Sequence, residues 1–81
     1  MLDLINATLS LKETDPKASF FIAKELAIIQ VNVVWYPDKI GTQATRLRSL
    51  AQHVLITFKH NDAAKLLASR IKFKALDLDN A

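Results

Sequence analysis

Apolar residues recur along this chain mostly at helical spacing, and the richest segment, Ala18 to Tyr36, carries only two charges, Lys24 and Glu25, in nineteen residues. Within it Ile22, Leu26, Ile29, Val33 and Tyr36 follow steps of four, three, four and three, which trace one continuous helix face. Phe21, Ile28 and Trp35, each seven apart, mark a second face beside Phe20 and Val31. A surface helix of a small monomer needs an apolar stripe about 100° wide. A helix apolar on nearly all sides asks for cover on several, and in so short a chain that points to a partner.

Local chemistry sets the bounds of this second helix. Asp15 and Pro16 form a start signal, because an aspartate accepts from the free N–H groups of a first turn and proline suits the first helical position. Tyr36-Pro37 is a stop signal, since proline disfavours α geometry in the residue before it and offers no N–H to the ladder. Ahead of it, Leu2, Ile5 and Leu9 predict a short first helix over Leu2 to about Leu11, with those three on its apolar side. Beyond it, Ile40, Ala44, Leu47, Ala51, Val54 and Phe58 predict a third helix from Pro37 or Thr42 to Lys59. Helices two and three then form an antiparallel hairpin with complementary faces.

Asn61 or Asp62 caps a fourth, short helix with Ala64, Leu67, Ala68 and Ile71 on its buried face. From Arg70 to Leu78 the period changes: Ile71 and Phe73 alternate with Lys72 and Lys74, which leaves an extended and a helical tail both open. The fold expected is all-α, a small three- to four-helix bundle built on the helical hairpin, in a single domain over residues 1–81. Its competitor is an α/β fold with a strand at 28–36, where β-branched Ile29, Val31 and Val33 alternate with Gln30 and Asn32. Nothing between Phe20 and Val34 would stop the helix begun at Asp15, so the helical reading is preferred.

Composition narrows the chemistry. A chain of 81 residues without cysteine has no disulfide framework, no cysteine-built zinc site and no thiol nucleophile, so oligomerisation is the remaining support for a small core. His53 and His60 are two helical turns, about 10 Å, apart, too far to share one ion. No metal or other cofactor is expected. His53 falls off the Ala51-Val54-Phe58 face and reads as a solvent-side histidine. Asp77 and Asp79 flank Leu78 at a calcium-loop spacing, yet no glycine or later glutamate completes such a loop. With Gly41 as its single glycine the chain also lacks a phosphate-cradling loop and a nucleophile elbow, so neither an enzyme nor a small-molecule substrate is indicated.

Met1 to Leu11 lacks the basic start of a secretory signal, and Lys24, Glu25, Gln30 and Asn32 argue against a membrane crossing at 18–36, so a cytoplasmic location is expected. The net charge of +3 is uneven: Lys59, Lys65, Arg70, Lys72 and Lys74 stand against Asp62 alone, a local charge of +4. Arg46, Arg48, Lys65, Arg70, Lys72 and Lys74 are the candidate basic surface. A helix-turn-helix over Asn61 to Leu76, with Ala63, Leu66, Phe73 and Leu76 as its apolar positions, fits poorly, because no glycine marks the turn and Asp77 and Asp79 would face phosphates. The function expected is that of a small non-catalytic helical protein, a regulator, inhibitor or assembly factor acting through self-association or a protein partner. Its interface would be Phe21, Ile28, Val31 and Trp35. The alternative is a dimeric, basic nucleic-acid-binding regulator.

Overall fold

The described residues form four helices, α1 (Leu2–Leu9), α2 (Pro16–Trp35), α3 (Ile40–Thr57) and α4 (Asp62–Asp79), with a 3-10 turn over Pro37–Lys39 between α2 and α3. The computed structural model describes residues 1–80. The caps lie where side-chain chemistry places them. The Asp15 carboxylate accepts from the Ala18 N–H at 3.1 Å and Pro16 opens α2. Asn61, in extended geometry, accepts from the Ala64 N–H at 3.0 Å and starts α4. Replacing the Asp15 acceptor leaves an N–H of the first turn without its partner, so Asp15→Ala is expected to lower stability by about 1 kcal/mol. A urea titration at fixed protein concentration measures it.

The strand considered for 28–36 does not form. α2 continues to Trp35 and ends as Pro37 requires, with Tyr36 at φ −130° and ψ 67° and its N–H donating to the Asn32 carbonyl at 2.8 Å. β-branched residues weaken a helix only slightly, and burial of Ile22, Leu26 and Ile29 along one face outweighs that preference. α4 is not short, and its tail is not extended. Ile71, Ala75 and Leu78 continue the buried face at steps of four and three, so the helix runs on to Asp79. An unbroken helix over this range also removes the helix-turn-helix.

α1 is rotated from its expected orientation. Leu4 and Thr8 are buried, with Leu11 just past the helix, while Leu2 is exposed and Ile5 and Leu9 are half-buried. Thr8 belongs inside because its hydroxyl donates to the Leu4 carbonyl at 2.8 Å, and the Ser19 hydroxyl in turn donates to the Thr8 carbonyl at 2.8 Å, joining α1 to α2. Both hydroxyls are satisfied, so burying them carries little desolvation penalty.

Each helix touches two others: α1 packs on α2, α2 on α3, α3 most extensively on α4, and α4 on α1. This places α2 and α4 diagonally across the bundle. The core between them is formed by Ile22, Leu26, Ile29, Leu47, Val54 and Ile71, and buried alanines at 44, 51, 64, 68 and 75 let α3 and α4 approach closely. Among the described residues no buried side-chain polar atom lacks a hydrogen-bond partner.

Candidate functional site

At 100° per residue, the Ile22-Leu26-Ile29 face of α2 points into the core and the opposite face carries Phe20, Phe21, Lys24, Ala27, Ile28, Val31 and Trp35. None of these seven is buried. Trp35 is 73% exposed, Val31 52%, Phe21 47% and Ile28 36%. The four residues expected at an interface therefore lie together on one outward helix face. Phe20 and Val34, both more than half exposed, widen it. Val34 lies seven residues from Ala27 and fourteen from Phe20, a line beside that of Phe21, Ile28 and Trp35 at the edge of the stripe. The ionisable side chains on this face are lysines, Lys17 and Lys24, whereas the one carboxylate within α2, Glu25, turns toward α3 and meets Arg46 at 3.4 Å. α2 is also long and apolar enough by composition to cross a bilayer, although here one side of it is packed on α1 and α3.

Where α2 meets α3, a groove of about 340 Å³ is lined by Phe21, Glu25, Ile29, Arg46, Leu50 and His53 among others. The exposed His53 ring packs edge-on against Phe21, with centroids 5.4 Å apart. Its Nε2 lies 3.5 Å from the Thr57 hydroxyl. Arg46 also donates to the Gln43 amide oxygen at 3.4 Å, which Asn32 approaches at the same distance. The carboxylate and guanidinium in this groove satisfy each other. Among the described residues no three histidine, aspartate or glutamate side chains gather closely enough to hold a metal ion.

The six candidate basic residues are dispersed, and four of them meet carboxylates. Arg46 pairs with Glu25, Arg48 with Asp79 at 2.6 Å, Arg70 with Asp3 at 2.9 Å, and Lys65 more loosely with Asp62 at 3.9 Å. Lys72 and Lys74 lie on α4 near Asp79 and Asp77 respectively. At Asp3, desolvation raises the carboxyl pKa, but the Leu4 backbone N–H, the Met1 ammonium and Arg70 outweigh it and hold the group below its ordinary value. Within the segment that carries the local charge of +4, Arg70 meets an acid from a distant part of the chain and Lys65 faces the neighbouring Asp62, whereas the pairs of Arg46 and Arg48 lie outside that segment. A second apolar set, Leu66, Phe73 and Leu76, faces outward from α4. The spacing of seven between Leu66 and Phe73 is the signal for it.

Fold and surface together define a small antiparallel four-helix bundle with one strongly apolar outer helix face. Comparison with known protein families, curated proteins and solved structures finds no match to this chain.

Proposed function

We propose that this protein is non-catalytic and acts by contact, as a regulator, inhibitor or assembly factor that self-associates or engages a protein partner through the outer face of α2. The observation that carries this reading is the exposure of Phe21, Ile28, Val31 and Trp35 on one face, with Phe20 and Val34 at its margin. Contiguous exposed apolar patches of this kind mark interaction sites, and buried aromatic anchors dominate interface energies. A cytoplasmic location is part of the proposal. Nucleic-acid binding has less support, since it would rest on Lys72 and Lys74 while the other four cations face carboxylates.

Light scattering coupled to size exclusion, across a concentration range, tests the reading. The wild-type chain is expected to show a mass above its 9.1 kDa monomer. Ile28→Asp and Trp35→Ala should each move it toward the monomer with the helical circular dichroism retained, because neither side chain is part of the core. An oligomer unchanged in both variants would remove α2 from the interface.

A further inference from the structure

We infer that the occupant of the α2 outer face is a second copy of this chain, with the two α2 helices antiparallel about a two-fold axis between Ile28 and Val31. This rests on the contact reading above and specifies its partner. The exposed area of the face is of the size that a second copy would cover. At roughly 200 Å² for a whole aromatic side chain, the uncovered parts of Phe20, Phe21 and Trp35 present on the order of 350 Å². Ile28, Val31, Val34, Ala27 and the lysine stems carry the whole face toward the ~800 Å² per partner that stable interfaces bury; about the stated axis the two α2 helices overlap over residues 24–35, while Phe20 and Phe21 lie at the margin, level with the 3-10 turn of the second copy.

Charge and spacing decide the arrangement. Phe21, Ile28 and Trp35 lie seven apart, with Lys24 and Val31 three residues after the first two, so the seam alternates steps of three and four. Parallel pairing in register would set Lys24 against Lys24 and Lys17 against Lys17. An acidic helix would answer Lys17 and Lys24 as well, and it is the occupant that a wild-type monomer would point to. Antiparallel pairing about the stated axis places Ile28 opposite Val31 of the second copy and Lys24 opposite its Trp35. There the ammonium meets the face of an exposed indole, a cation–π contact made twice by symmetry. The two Lys24 side chains then lie eleven residues apart along the axis, about 16 Å. Lys24, Ala27, Ile28 and Val31 already line one shallow depression, and Ala27 leaves room for close approach.

The test uses the full chain, its Ile28→Asp and Lys24→Glu variants, and sedimentation equilibrium with Trp35 fluorescence. A wild-type dimer is expected, dissociated by Ile28→Asp and weakened on the order of tenfold by Lys24→Glu, which sets a carboxylate against the indole face. The Trp35 emission should shift to the red in both variants. A dimer that Ile28→Asp dissolves but Lys24→Glu leaves unchanged would overturn the antiparallel arrangement alone, because in parallel pairing the substitution only exchanges one like-charge pair for another and no indole contact is lost. A dimer that Ile28→Asp leaves intact would overturn the α2 interface itself. A wild-type monomer at all concentrations would overturn the second copy as occupant. If that monomer sedimented with vesicles containing about a third phosphatidylglycerol, the face would belong to an anionic lipid surface instead.

Discussion

Leu47→Ala is expected to destabilise the fold by about 2–5 kcal/mol, the range for removing a large aliphatic side chain from a packed interior. Leu47 is completely buried on α3, the helix that packs on both α2 and α4. Truncation removes apolar burial and leaves a void between rigid neighbours, and an 81-residue domain has only about 4–12 kcal/mol in total to lose. The melting temperature should fall by roughly 10–40 °C, measured at fixed protein concentration so that assembly does not distort the comparison. A loss below about 1 kcal/mol would mean that Leu47 does not sit in a close-packed centre.

Ala51→Leu should also destabilise, by about 1–3 kcal/mol or more, although it adds apolar surface. The antiparallel turn between α3 and α4 places Ala51 at about the level of Ala68, and Ala44 at about that of Ala75; all four are buried. Small residues at matched levels let the helices approach, and a leucine there must push them apart or adopt a strained rotamer. The Ala51→Leu variant should therefore unfold at lower urea than wild type with its helical signal present before the transition. A gain in stability would show that unfilled space lies between α3 and α4 at the level of these alanines.

The extent of α2 and the face of α3 were legible because Asp15, Pro16 and Pro37 bound α2 and a long periodic run marks α3, although α3 begins at Ile40, between the two starts read for it, and ends at Thr57 rather than Lys59. The end of α4 was not, because over Ile71 to Lys74 a period of two and a period of 3.6 both fit. Only Ala75 and Leu78, buried with Ile71, separate the two. The face of α1 was misjudged for another reason. Thr8 is polar to any hydropathy pattern, yet its hydroxyl is answered by the preceding turn, so it sits where an apolar residue was expected. The outward stripe of α2 could be read from its spacing of seven. The pairing of the basic residues could not, since Arg48 finds Asp79 and Arg70 finds Asp3 across 31 and 67 residues.

The ring of contacts between successive helices has a kinetic consequence. Most packing joins neighbours in sequence through short connections, and only α1 against α4 closes over a long separation. Loops this short cost little entropy to close, and helical topologies rich in local contacts fold in microseconds to milliseconds. Pairing of two folded copies is a bimolecular event, with typical rate constants of about 10⁵–10⁷ M⁻¹s⁻¹. At micromolar concentration that step is slower than chain folding, so under the proposed pairing the time for which Phe20, Val34 and Trp35 face water is governed by protein concentration.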